Sequence, residues 1–251
     1  MVDIHTHILP GIDDGARNWD DSYRMAAMAA DSGVDVIVCT HHANIPGLYR
    51  NYNHRYLDDL FEEFCERLDR GGFPVRAVRG MEIFSTYDVL DKIAEGQLLP
   101  INQTDYYLVE FDFHESLRFM EDTLFGIMRL GKIPIIAHPE RYIPLQDEPD
   151  VLYYWMRRGV LSQINKGSLM GRFGEDCLYA AEEFMAHNLV TCIASDAHRP
   201  NERTTDMSGI YQMVSGRYSP ERADLLLDIH PRRIVEGRRI HRTNLVPFER
   251  G

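Results

Sequence analysis

A chain of 251 residues that is 44% hydrophobic and 26% charged, with no low-complexity tract, has the composition of a folded globular protein. That length suits one α/β barrel and allows a core to form without disulfides or a metal serving merely as a staple. A formal charge of −12 argues against a nucleic-acid backbone as general partner, and no apolar run approaches the roughly 20 residues of a membrane helix.

Short β-branched runs alternate with longer helical patterns in chain order, which is the signature of βα units around a parallel sheet. The strand candidates are VDIHTH, DVIVCTHH, VRAVRGMEIF, YYLVEFDF, IPIIAHPE, SQINKG and LVTCIASDAH. Helices are predicted over 18–32, 54–70, 86–95, 117–130, 149–158 and 175–187, with two more near 206–215 and 220–228. Asn18 with Asp21, and Ser219 with Pro220, carry N-terminal capping chemistry. Gly33, Gly71, Gly96, Gly131 and Gly159 each stand where a helix would end on a left-handed residue. Cys39, Cys65, Cys177 and Cys192 show no CxxC spacing, Met1 leads directly into a strand, and nothing resembles a signal peptide; the expected location is the cytoplasm. The basic stretch HPRRIVEGRRIHR reads as a helix end and solvated tail. An open doubly wound sheet is the alternative to a barrel, but it would want a glycine-rich phosphate loop where HILPGIDDG stands.

Metal-binding side chains fall at the carboxyl end of almost every predicted strand, the face where barrels build active sites. Strand one brings His5 and His7, which period-two alternation turns to one side; Asp13 and Asp14 follow in the loop. Strand two ends in His41 and His42, adjacent residues that must diverge, so at most one is a ligand; the same holds for Asp13 and Asp14. Glu82 and Glu110 sit inside apolar runs, where a carboxylate needs a cation or an ion pair. His138 closes strand five, and Asp196 and His198 alternate after strand seven. Each has a bland counterpart, a satisfied core histidine or a structural ion pair, and only their convergence across six strands is informative. A mixed His and carboxylate shell suits Mn, Fe or Zn. Nine candidates exceed one ion, so two or three divalent ions are expected, with Glu82 as a bridge and an activated hydroxide as the nucleophile. Arg141 in HPER and Arg203 in DAHRPNER are candidates for gripping phosphate, with Arg199 competing for the second role. The cysteine-phosphatase signature is absent from the sequence.

Taken together, DIHTHILPGIDDGA, VCTHHAN, GMEIF, LVEFDF, IAHPERY, QINKGSLMGRFG and ASDAH resemble the PHP (polymerase and histidinol phosphatase) superfamily. More narrowly they are similar to its bacterial capsular-polysaccharide tyrosine phosphatase branch, the CpsB/YwqE type, from Met1 to about Ile240. The resemblance implies one domain over 1–251, with 244–251 as a tail, folded as a distorted (β/α)7 barrel with a trinuclear, usually manganese-dependent centre. It places one metal on His5, His7, Glu82 and Asp196, a second on Glu82, Glu110 and His138, and a third on Asp14, His42 and His198. It makes Arg141 and Arg203 the phosphate-binding arginines. The implied substrate is phosphotyrosine on a bacterial tyrosine kinase that controls capsule or exopolysaccharide synthesis, with no nucleic-acid partner and no membrane insertion. Tyr49, Tyr52 and Phe84 are candidates to face a phenyl ring. The alternatives are a histidinol-phosphate-type small-molecule phosphatase, a TatD-like nuclease, and a catalytically silent binding module. An amidohydrolase would want a carbamylated lysine, for which Lys166 on strand six is the candidate.

Overall fold

Valine, isoleucine and alanine crowd the strand segments, and a helix follows nearly every one, so the chain winds in βα units. A computed structural model describes residues 1–240 and 244–249. The strands are β1 (Val2–Thr6), β2 (Val36–Cys39), β3 (His42–Ala43), β4 (Arg76–Arg79), β5 (Glu82–Phe84), β6 (Tyr106–Glu110), β7 (Ile133–Ala137), β8 (Leu161–Asn165) and β9 (Cys192–Ala194). The helices are α1 (Trp19–Asp31), α2 (Arg55–Gly71), α3 (Val89–Ala94), α4 (Leu117–Arg129), α5 (Ile143–Asp147), α6 (Asp150–Arg158), α7 (Lys166–Leu169), α8 (Glu175–Ala186), α9 (Ser208–Arg217), α10 (Pro220–Asp224) and α11 (His230–Val235).

Among the described residues the ladders between these strands are all parallel. One sheet runs β1-β2-β4 and the other β3-β5-β6-β7-β8-β9. Two of the predicted strands are therefore each broken in two: DVIVCTHH at Thr40–His41, and VRAVRGMEIF at Gly80–Met81. Gly80 is required there because a Cβ would lie 2.7 Å from Val38 Cγ1. The ring returns on itself where the Thr6–Ala197 bridge joins β1 to the end of β9, with His7 N donating to Ala197 O at 2.8 Å and Asp196 N to His5 O at 2.9 Å.

Inside the ring Val2, Ile4, Val36, Val38, Tyr106, Leu108, Ile135 and Cys192 form an apolar plug, closed at the amino-terminal end by Ile101, Ile234 and Val235. A larger cluster, including Ile37, Met25, Phe64, Ile127, Trp155 and Phe184, seals the strands against the outer helices. Burial at these two layers is the main stabilising contribution, roughly 25 cal/mol per Å² of apolar surface removed from water.

Asn18 caps α1 as predicted, its side chain accepting from Asp21 N at 3.0 Å, and Ser219 caps α10 by accepting from Arg222 N at 3.1 Å. Gly33, Gly96, Gly131 and Gly159 take positive φ, but Gly72 (φ 65°), not Gly71, does so after α2. The basic C-terminal stretch is more structured than a helix end and tail. It forms α11, which buries Ile234 and Val235, while Arg232 pairs with Asp35 and Asp228. Its last residues, 241–242, lie outside the described part. Of the expected tail, 250–251 also lie outside it, whereas Leu245 and Phe248 pack on the core and Val246 N donates to His187 O at 3.0 Å.

Candidate metal centre

At the carboxyl end of the ring the backbone leaves strand geometry abruptly, and that departure sets the site. The register of β1 on β2 shifts between Asp3 and Thr6. This irregularity lets Ile4 fill the inner plug while the next side chain, His5, also turns inward, followed by His7. His138 (φ 35°), Asp196 (φ 49°) and Arg203 (φ 51°) all adopt left-handed backbone, a conformation costing about 1–3 kcal/mol at a non-glycine residue. Asp196 and His198 thus reach one site through a left-handed turn and not through the strand alternation that the sequence suggests.

The nine predicted donor residues meet in one place, with Glu82 at its hub. Glu82 Oε1 lies 3.1 Å from His5 Nε2 and 2.9 Å from His138 Nε2. Its Oε2 lies 3.3 Å from His7 Nε2 and 2.9 Å from His42 Nδ1. Glu110 approaches His138 Nε2 at 3.6 Å and His42 Nδ1 at 3.4 Å. Asp196 Oδ1 stands 3.5 Å from the Nε2 atoms of both His5 and His7, and Asp14 Oδ1 stands 3.5 Å from His42 Nε2 and 3.6 Å from His198 Nε2. Among the described residues, three groups have donor atoms mutually within 4.8 Å: His5 with His7 and Asp196; His42 with Glu82 and Glu110; and His7 with Asp14, His42 and His198. His42 straddles two of them, so the structure ties it more closely to Glu82 and Glu110 than the sequence-based grouping does.

The donors fit divalent cations on a chemical ground. His42 Nδ1, Glu82 Oε2 and Glu110 Oε2 crowd together, buried, at 2.9 and 3.4 Å, yet none is directed so as to hydrogen-bond another. So many orphaned polar atoms in one spot are costly unless a cation satisfies them. Their electrostatics agree. Burial opposes ionisation of Glu82, yet His5 and His42 hold its carboxyl well below the usual range. Burial likewise disfavours a charged His42, but Glu82 raises it to about 10. Burial and the neighbouring His7 push His198 down to about 2.

The donors are oriented by Asp13, the member of the Asp13–Asp14 pair turned from the centre, and by Gln163 and Asn165, which the sequence reading did not single out. His7 Nδ1 is held by Asp13 Oδ2 at 2.8 Å, so Asp13 braces a ligand while Asp14 faces the donors. Gly15 makes this possible, since a Cβ there would meet His7 O at 2.2 Å. His5 Nδ1 is paired with Gln163 Oε1 at 2.8 Å; Gln163 donates to Asn165, and Asn165 donates to Asp196 Oδ2 at 2.6 Å. Such outer partners fix imidazole tautomer and orientation. The alternation of Gln163 and Asn165 in SQIN, beside ligand-bearing strands, was the available signal. His41 points elsewhere: it is buried, both ring nitrogens are unpartnered, and burial takes it down to about 4.

Two guanidinium forks border the donors. Arg141 Nη1 is 3.6 Å from Asp196 Oδ2, and Arg203 Nη2 contacts the same oxygen. Arg199 instead donates to Asp14 O at 3.4 Å on the rim. Arg141 is stacked on Phe113 (4.6 Å) and Phe173 (4.8 Å). Of the proposed ring-facing aromatics, Tyr49 lies parallel to His42 at 5.9 Å and Phe84 ends β5 in register with Glu110, whereas the Tyr52 hydroxyl is committed to Asn44 Oδ1. Lys166 turns away from the donors, its Nζ on the carbonyls of Thr204 and Asp206, which removes the carbamylated-lysine alternative.

Residues 1–236 match the family model described as capsular polysaccharide synthesis, CpsB/CapC. The tyrosine-protein phosphatase YwqE of Bacillus subtilis (strain 168) is 36% identical over 234 residues, covering 90% of this chain and 91% of that protein. A crystal structure from work on YwqE of B. subtilis and CpsB of Streptococcus pneumoniae, described as unique metal-dependent tyrosine phosphatases, superposes with a TM-score of 0.91 at 33% identity, covering 100% of both chains. Histidinol phosphate phosphatase of Lactococcus lactis, solved with zinc, L-histidinol and phosphate, shares the fold alone: TM-score 0.53, 14% identity, 88% of this chain and 93% of that one.

Proposed function

Because the chain belongs to the CpsB/CapC family of capsular polysaccharide synthesis, we propose that it is a metal-dependent phosphoric monoester hydrolase acting on protein phosphotyrosine. The observation that carries the proposal is Glu82, a buried carboxylate facing four imidazoles, with two arginine forks converging beside it on Asp196. In this reading the substrate is a bacterial tyrosine kinase of the cytoplasm that governs capsule assembly, and the site takes two or three ions, manganese first.

His5, His7, Glu82 and Asp196 would hold one ion; Glu82, Glu110 and His138 a second; and Asp14, His42 and His198 a third, with His42 leaning toward the second. Bound there, divalent cations supply Lewis acidity toward phosphate oxygens and toward water. The chain's own residues do the rest. Asp13 and Gln163 keep the Nε2 atoms of His7 and His5 aimed inward. Arg141 and Arg203 grip the non-bridging phosphate oxygens and stabilise charge as it grows, a role supported by their reach to the anionic Asp196 oxygen. A phenolate leaves with a pKa of about 10, so phosphotyrosine demands less protonation of the leaving group than an alkyl phosphate does.

The test is steady-state turnover of a phosphotyrosine peptide, a phosphoserine peptide and histidinol phosphate, by enzyme stripped of metal and reloaded with manganese. A metal-dependent preference for phosphotyrosine is expected. Preference for histidinol phosphate would move the protein to the small-molecule branch, and silence on all three would sink the hydrolase reading.

The charge pattern also fixes a pH dependence. Without metal, His42 is protonated up to about pH 10, well above its ordinary value of 6.5. Its contribution to stability is therefore fully present below about pH 6.5 and lost as pH rises through about 10. Metal ligation needs the neutral ring, so metal binding must expel that proton. Manganese affinity should rise with pH across this window, with proton release detectable by calorimetry in buffers of differing ionisation enthalpy. Affinity independent of pH would remove His42 from the ligand set.

A further inference from the structure

The segment that begins with the last residue of β8, Asn165-Lys166-Gly167-Ser168-Leu169-Met170-Gly171-Arg172-Phe173, carries no proposed metal donor, yet it touches the supports of both arginines. Lys166 is 3% exposed, and its Nζ donates at 2.5 Å to the carbonyls of both Thr204 and Asp206, the residues that follow Arg203. On the other side of the same loop, His198 N donates to Arg203 O at 2.9 Å. Arg203 is thereby pinned from both directions in a left-handed conformation that it would not hold unaided. Eight positions beyond Gln163's neighbour Asn165, Phe173 presents its ring to Arg141 at 4.8 Å and to Arg203 at 5.6 Å, one platform under two forks. Gly167 lets the ring sit down, since a Cβ there would lie 2.7 Å from Phe173 Cε2. A buried ammonium is expensive to desolvate, and this one spends its donors on carbonyls of a loop whose main chemical content is one guanidinium.

We propose that Lys166 and Phe173 are positioning residues, which set Arg203 and Arg141 at the spacing needed to hold one phosphate group without touching it themselves. The inference rests on the phosphatase reading above. A displacement of about 1 Å in a reacting assembly can cost about a hundredfold in rate, which is the loss expected when either support is removed.

A double-mutant cycle tests it on manganese-loaded enzyme with the phosphotyrosine peptide, with bound metal per chain measured in parallel. Lys166→Met should lower kcat/KM by about a hundredfold with metal retained, and have less than about threefold further effect when Arg203 is already Ala. If the two losses instead multiply, Lys166 does not act through Arg203 and the proposal falls. Should Lys166→Met fail to fold, Phe173→Leu gives the parallel cycle with Arg141→Ala. Phe173→Tyr should restore most of the activity that Phe173→Leu loses, because the ring face is what supports the forks; equal activity of Leu and Tyr variants would overturn the platform role. If the wild-type enzyme prefers a different phosphate ester, the tyrosine reading fails separately, and the same cycles read on that ester still decide the positioning role.

Discussion

Glu82→Ala should empty the centre of metal and cut turnover on a phosphotyrosine peptide by at least about a thousandfold, the scale of several kcal/mol that Lewis-acid stabilisation contributes. No other carboxylate faces as many of the proposed ligands: one oxygen serves His5 and His138, the other His7 and His42. Its loss leaves three buried imidazoles and the partly exposed His42 around an uncompensated cavity. The charged state of His42 depends on Glu82, so the variant's metal-free form should lose the stability that falls away between about pH 6.5 and 10 in the wild type. Elemental analysis after desalting, read beside kcat/KM, decides the matter. A variant that keeps its full metal complement and its rate would remove Glu82 from the bridging position.

Arg141→Ala should produce a different failure: kcat lower by about 10²–10³, metal content intact, and the fold undisturbed. Arg141 reaches Asp196 only at 3.6 Å, and its guanidinium is held chiefly by the faces of Phe113 and Phe173, so little of the donor cluster leans on it. Arg141→Lys should recover only part of the rate, because an ammonium lacks the planar fork that matches two phosphate oxygens and stacks on a ring. Loss of metal together with the rate would mean that Arg141 acts on the centre's assembly and not on the phosphate group.

The barrel and the strand-end placement of the candidate donors were legible because both are written in short-range pattern. Glu82 and Glu110 advertise themselves as carboxylates inside apolar strands, and His5 with His7 by spacing. What the pattern could not carry is backbone geometry beyond the strand ends. His138, Asp196 and Arg203 owe their directions to positive φ, which no periodicity encodes for non-glycine residues. The breaks at Thr40–His41 and Gly80–Met81 were invisible for the same reason, although Gly80 marked one of them. Supporting contacts were hidden by distance in sequence: Gln163 acts on His5 and Phe173 on Arg141, each relationship made only by closing the ring. Helices α5 and α7, of five and four residues, were missed because neither spans enough turns for an apolar repeat to show.

The junction of β1 with β9 is narrower than the other ladders: one bridge at Thr6–Ala197 and the two flanking amide contacts of His7 and Asp196. The proposed donors sit on both sides of that join, His5 and His7 on one edge, Asp196 and His198 on the other. A cation held by both edges would act as a clasp on a hoop, tying the narrowest seam of the barrel. The amides of His7 and Asp196 should therefore exchange with deuterium through local opening when metal is withheld, and become among the slower ones when it is supplied. Catalytic readiness and mechanical closure of the ring would then be a single event, governed by how much metal the cell provides.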